Sequence, residues 1–184
     1  MSTFEDQHTV DLTTRKFAPV YKNGEMRLPK KLPDYLSFSR PADGATGYTS
    51  SDESVATVDA QGKVTILRNG KTTVTAQTTA GTKSYELTVT GIRGLEILSN
   101  QAVTWQNAKN LADQLGLDLP GQLDFETIVN LYGAELASVL TPPNAPVWGE
   151  LLGADTAWTL DPVTLAVTAE STGPNNLRQV AGIG

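Results

Sequence analysis

The sequence predicts a mainly β protein, an antiparallel β-sandwich followed by a small α+β domain. Two observations carry this: short Thr-rich runs alternating apolar and polar residues up to about residue 91, and a change to helical period after residue 100. In the first part, Val58, Val64, Ile66, Val74, Ala76, Tyr85, Leu87 and Val89 recur at or near every second position. That spacing suits strands with one buried and one wetted face. Turn residues punctuate the runs. Asp59-Ala-Gln-Gly62 opens and closes a turn, Asn69-Gly70 suits a type I′ hairpin, and Ala80-Gly81 interrupts the next pair. Turns at roughly 8–12-residue spacing indicate a sandwich, placed at residues 24–91.

The later half reads differently. Leu95-Glu-Ile-Leu98 is a short strand, and Thr104 is the N-cap candidate of a helix with Ala108, Leu111, Ala112 and Leu115 on one stripe and Gly116 as its stop. Asp124 is the N-cap candidate of a second helix, through Phe125, Ile128, Val129 and Tyr132 to Gly133. A proline-broken loop, Thr141-Pro-Pro-Asn-Ala-Pro146, precedes strand-like runs around Trp148, Ala157–Leu160, Leu165–Thr168 and Gln179–Ile183. The resulting division is a segment 1–23, a sandwich 24–91 and an α+β domain 92–184.

Charge and composition exclude several functions. Residues 1–92 hold 11 Lys/Arg against 10 Asp/Glu, whereas residues 93–184 hold 3 against 10. An acidic domain repels phosphate backbones and anionic lipid, so neither nucleic acid nor a polybasic membrane contact is expected. No apolar run reaches the 18 residues or so of a membrane span, so membrane insertion is not expected either. There is no cysteine, and the first residues, Met1-Ser-Thr-Phe-Glu-Asp-Gln-His8, lack the basic start and apolar run of a secretory signal. Together these favour folding in a reducing cytosol.

Chemistry is sparse. His8 is the single histidine, which leaves no Ser-His-Asp or Cys-His set and no multi-imidazole metal cluster. Asp52-Glu53 and Asp124 with Glu126 sit where carboxylates cap turns and helix starts. The chain is expected to be no enzyme and to need no cofactor or metal.

The stretch Tyr48–Ile66, with Asn69-Gly70 and Thr72–Ala76, resembles the core of a bacterial group 2 immunoglobulin-like domain. The order Val103–Ala108, Gly116–Pro120, Leu131-Tyr-Gly133, Trp158-Thr159, Thr172-Gly173 and a final apolar strand is similar to the C-type lectin-like module of intimins and invasins, which follows immunoglobulin-like repeats. The resemblance implies an immunoglobulin-like β-sandwich, then a small α+β C-type lectin-like domain. It also implies adhesion, generally to protein and without calcium. The Glu-Pro-Asn-type triplets of calcium-dependent lectins are absent, the nearest strings being Pro142-Pro-Asn144 and Gly173-Pro-Asn175. Related modules commonly carry a disulfide where Ala112 and Ala181 stand here, a staple typically contributing roughly 2–4 kcal/mol.

Such domains also occur on virion proteins of tailed bacteriophages, which assemble in the host cytoplasm without disulfide or signal. The expectation is therefore a bacteriophage structural protein displayed on the virion, as capsid decoration, head fibre or tail-associated protein. Its partners would be capsid or tail proteins of the same particle and a host surface protein or glycan, with homo-oligomers at symmetric sites. The alternative is the C-terminal fragment of an intimin- or invasin-type adhesin on the bacterial cell surface, binding a host-cell receptor. Residues 1–23 are expected to be an attachment arm using Phe4, Val10, Leu12, Phe17, Val20 and Tyr21, able to add a strand to a neighbouring sheet. Trp105 and Trp158 are expected in the core. The receptor-contact tip is expected at Asn144, Trp148, Asn175 and Asn176, because exposed aromatics anchor interfaces.

Overall fold

The structure, a computed structural model, describes residues 3–15, 17–140 and 145–184. In chain order the strands and helices are β1 (His8–Asp11), β2 (Val20–Lys22), β3 (Glu25–Arg27), β4 (Ser37–Ser39), β5 (Ala45–Ser50), β6 (Ala56–Val58), β7 (Lys63–Ile66), β8 (Gly70–Thr78), β9 (Gly81–Thr90), β10 (Leu95–Ile97), α1 (Trp105–Gln114), α2 (Gln122–Tyr132), α3 (Leu136–Leu140), β11 (Val147–Leu151), β12 (Thr156–Leu160), β13 (Val167–Ser171) and β14 (Ala181–Ile183). They form two compact units, one made of Met1–Lys16 and Leu32–Ile92, the other of Phe17–Lys31 and Arg93–Gly184.

The first unit is a sandwich of two sheets, ordered β1-β9-β8-β5 and β4-β7-β6. Val64, Ile66, Val74, Ala76, Tyr85, Leu87 and Val89 are all buried, as their alternation requires, together with Leu36, Val55 and Ala56. Asp59 closes the β6–β7 turn by accepting from the Gln61 and Lys63 amides, each at 2.9 Å, with Gly62 at φ +83°. Val58, expected inside, is only half-buried.

Asn69-Gly70 does not make a hairpin. β7 pairs with β4 and β6, whereas β8 pairs with β5 and β9, so the Asn-Gly pair carries the chain from one sheet to the other. The Asn69 amide brackets a distant backbone instead, accepting from the Ile92 N–H at 2.9 Å and donating to the Ile92 carbonyl at 2.7 Å. The hairpin lies between β8 and β9, with Thr78 opposite Gly81. One pairing departs from the antiparallel expectation, since β1 runs parallel to β9 with Thr9 opposite Thr88.

His8 in β1 stacks against Phe38, ring centroids 4.7 Å apart. Burial, and then the nearby Arg40 charge, hold its pKa below the ordinary 6.5. A free imidazole gains a proton before this one does, so the β1 contact is fully present above pH 6.5 and weakens as pH falls through the depressed value. A proton-NMR titration should give a His8 midpoint below 6.5, with β1 amide protection falling on acidification. A midpoint at or above 6.5 would contradict this packing.

The second unit is assembled from two stretches of chain. β2 and β3 form an antiparallel hairpin around Asn23-Gly24, both at positive φ (+55° and +78°), as a type I′ turn demands. β2 then pairs in parallel with β10, giving the sheet order β14-β10-β2-β3. Three helices and a second sheet, β11-β12-β13, complete the unit. One core cluster gathers Val20, Leu95, Phe125, Ile128, Tyr132, Leu136, Leu140, Val147, Leu160 and Ile183. Another gathers Ala108, Ala112, Leu119, Trp148, Ala157 and Val180.

The helix ends obey local chemistry. Thr104 caps α1 by accepting from the Asn107 amide at 3.3 Å, and Gly116, at φ +69°, ends it while the Leu117 N–H returns to the Ala112 carbonyl. Leu115, expected on the buried stripe, is exposed because it lies past the last helical turn. α2 starts earlier than expected. Gly121 is its N-cap, and Asp124, the third residue of the helix, accepts from the Gly121 amide at 2.9 Å. α3 is not legible in the sequence as a separate helix, since Gly133 reads as the end of helical structure; after Gly133, at φ +55°, the chain turns and buries Leu136 and Leu140.

Candidate receptor-contact surface

The tip expected around Trp148 has to be redrawn. Trp148 is fully buried, its indole N–H donating to the Val103 carbonyl at 2.9 Å and its own amide donating to Gln179. The Arg178 guanidinium lies 5.9 Å from the ring centre and donates to Glu170 at 2.8 Å. Trp148 is therefore a core residue, because the strand carrying it is central to the packing and its polar atom finds a carbonyl. Trp105 and Trp158 are half-buried and pack against the core, as expected, Trp105 donating to the Gly149 carbonyl at 2.9 Å.

Beyond Trp148 the strand bulges. Its register against β12 slips by one residue between Trp148, opposite Thr159, and Leu151, opposite Ala157. A bulge kinks a strand and re-aims its side chains. Gly149 sits at this kink where a Cβ would come within 2.5 Å of the Pro120 carbonyl and 2.6 Å of Phe125. Past the kink the strand turns outward, leaving Leu151 and Leu152 exposed by 46% and 54%.

One hydrogen bond joins this turn to a second loop, and another closes that loop on itself. The Thr172 amide donates to the Asp155 carbonyl at 2.9 Å, and the Asn176 side-chain amide donates to the Ser171 carbonyl at 2.8 Å. Asn175 is exposed beside it, whereas Asn176 is half-buried and committed to its own loop. One end of the β11-β12-β13 sheet thus presents Leu151, Leu152, Asp155 and Asn175 together. Asn144 lies outside the described residues.

The residues expected in an attachment arm belong to the two units. Leu12, Phe17, Val20 and Tyr21 are buried, Val10 is half-buried in β1, and Phe4 packs on Tyr85 and Tyr48 at 5.0 and 6.4 Å between ring centroids. Their partners lie far along the chain, so sequence proximity gives no hint of them. Ala112 and Ala181 are both fully buried, each in a different core cluster.

Sequence reasoning misses Leu151 and Leu152. The signal is nonetheless present, two leucines followed by Gly153-Ala154-Asp155, an apolar pair running into turn residues.

Residues 29–89 match the family Bacterial Ig-like domain (group 2). The chain carries a bacterial Ig-like domain of group 2. No curated protein sequence matches it significantly. Among solved structures it is similar to an intimin mutant from enterohaemorrhagic E. coli O157:H7, with 19% identity, TM-score 0.51, and coverage of 88% of this chain and 92% of that one. It is similar to Intimin-190 from enteropathogenic E. coli, with 21% identity, TM-score 0.50, and coverage of 88% and 93%. It also matches the C-terminal 282-residue fragment of intimin in complex with the intimin-binding domain of the translocated intimin receptor. That match has 18% identity and TM-score 0.52, covering 78% of this chain and about half, 54%, of the fragment. The fold is mainly β and intimin-like: an Ig-like sandwich followed by a small α+β, C-type lectin-like domain.

Proposed function

We propose that this chain is a non-enzymatic binding module of the adhesin type, displayed on a bacterial surface, whose α+β unit docks a host-cell protein. The observation that carries the reading is the exposed pair Leu151 and Leu152, at the same end of the β11-β12-β13 sheet as the loop bearing Asn175, in a fold similar to intimin. Exposed apolar side chains grouped with polar ones suit a protein interface. An intimin fragment was solved bound to a receptor domain, which supports a protein as the partner class. The adhesin reading draws more support from these relatives than placement on a virion does. Among the described residues, no helix is long and apolar enough to cross a membrane, and no group of His, Asp or Glu could hold a metal ion.

Flow cytometry of the labelled chain on cultured mammalian cells tests the proposal. Saturable binding is expected, lost after trypsin treatment of the cells, and weakened roughly tenfold by Leu151→Asp with Leu152→Asp. Both leucines are exposed, so the double variant should keep its thermal transition. Binding that the folded double variant retains in full would overturn the assignment of this surface.

A further inference from the structure

The Ig-like unit holds its first strand with contacts unlike those of its other edges. Arg40 donates from one guanidinium nitrogen to the carbonyls of Thr3, at 2.8 Å, and Asp6, at 2.6 Å. The Asp6 carboxylate closes the turn between them by accepting from the Thr3 amide and hydroxyl, at 2.7 and 3.0 Å. The same guanidinium lies 4.3 Å from the centre of the Tyr85 ring, and Phe4 meets that ring edge-on. Arg40, Tyr48 and Tyr85 thus form a cradle shaped to one short segment, Thr3–Asp6, which leads directly into β1.

β1 lies at one edge of its sheet, paired only with β9. β8 is paired along its length with β9 and also with β5, so withdrawing β1 leaves a three-stranded antiparallel sheet and bares the edge of β9. A bare edge is a template for another strand of matching register. The Tyr85 hydroxyl, on the ring that Phe4 and Arg40 cover, is buried without a hydrogen-bond partner among the described residues.

We propose that the Thr3–Asp11 segment exchanges between copies of this chain, its β1 pairing with the β9 edge of a second copy and its Phe4 entering that copy's Arg40–Tyr48–Tyr85 cradle. A second copy is the occupant because the cradle and the parallel register are already matched to this segment, and every contact made within one chain is available between two. The exchange involves the Ig-like unit alone and is independent of receptor binding by the other unit.

Cysteine pairing tests it, because the chain has no cysteine of its own. Thr9 and Thr88 are register partners across β1 and β9. Thr9→Cys and Thr88→Cys are made as separate single variants of the full chain, mixed in equal amounts and oxidised under conditions in which thiol oxidation is faster than strand exchange. Exchange predicts a mixed disulfide-linked dimer exceeding either self-paired dimer by roughly tenfold, because the paired strands raise the effective thiol concentration. Random collision gives the mixed dimer only about twice the yield of each self-pair, and that ratio would overturn the proposal. Adding Arg40→Ala to both variants should speed mixed-dimer formation by roughly tenfold and leave its final yield unchanged, since the same contacts are lost within and between chains. An unchanged rate would remove Arg40 from the mechanism and with it the cradle on which the proposal rests.

Discussion

Trp148→Ala should lower the stability of the α+β unit by about 3–5 kcal/mol, the usual cost of emptying a large aromatic site in a core. The residue is completely buried among Ala108, Ala112, Leu119, Ala157 and Val180, small neighbours that cannot collapse far into the space left behind. The truncation also strips the Val103 carbonyl of its indole donor. Urea unfolding monitored by far-UV circular dichroism would report the loss as an earlier transition of this unit. Any accompanying loss of cell binding would then be a consequence of unfolding. Loss of binding with stability intact would instead return Trp148 to the surface and contradict its placement.

Tyr132→Phe should cost about 1–3 kcal/mol, large for the removal of one oxygen. The buried hydroxyl accepts from the Val20 amide at 2.8 Å and donates to the Arg27 carbonyl, so it ties α2 to both strands of the β2–β3 hairpin. Phenylalanine fills the same space but leaves both backbone groups without that partner. Hydrogen exchange at the Val20 amide should accelerate well beyond any change in the unit as a whole. Burial also pushes the Tyr132 pKa up to about 12. Its neutral form contributes stability below pH 10 that is lost as pH rises from 10 toward 12, and the phenylalanine variant should lose this part of the alkaline sensitivity.

How much of the fold is legible in the sequence depends on how far away the deciding partner lies. The sandwich strands can be read because alternation is local: Val74, Ala76, Tyr85, Leu87 and Val89 each announce their face through their immediate neighbours. The caps at Thr104 and Gly116 are legible for the same reason. Asn-Gly pairs are half-legible. Asn23-Gly24 makes the type I′ hairpin, while Asn69-Gly70 crosses between sheets because Ile92 captures the asparagine amide. No local rule separates the two. Phe17, Val20 and Tyr21 are too few to form a core alone; Val20 instead completes a core most of whose other members lie beyond residue 93.

The candidate surface is less legible than the fold. Trp148 stands out by residue type and by its place after a proline-rich loop, yet the strand it occupies runs inward until a one-residue bulge re-aims it. Bulges leave no reliable mark in a sequence beyond a glycine such as Gly149. Asn175 is exposed at this end of the sheet, and the leucines at the same end carry only a local mark, an apolar pair running into Gly153-Ala154-Asp155.

Whether the chain is a surface-displayed binding module is tested most directly by immunogold electron microscopy of intact producing cells and of their cleared lysates, using antibody raised against residues 93–184. Gold on the outer face of the bacteria, and none on released particles, is the expected result. Gold on phage heads or tails, with bare cells, would contradict surface display and restore the virion placement.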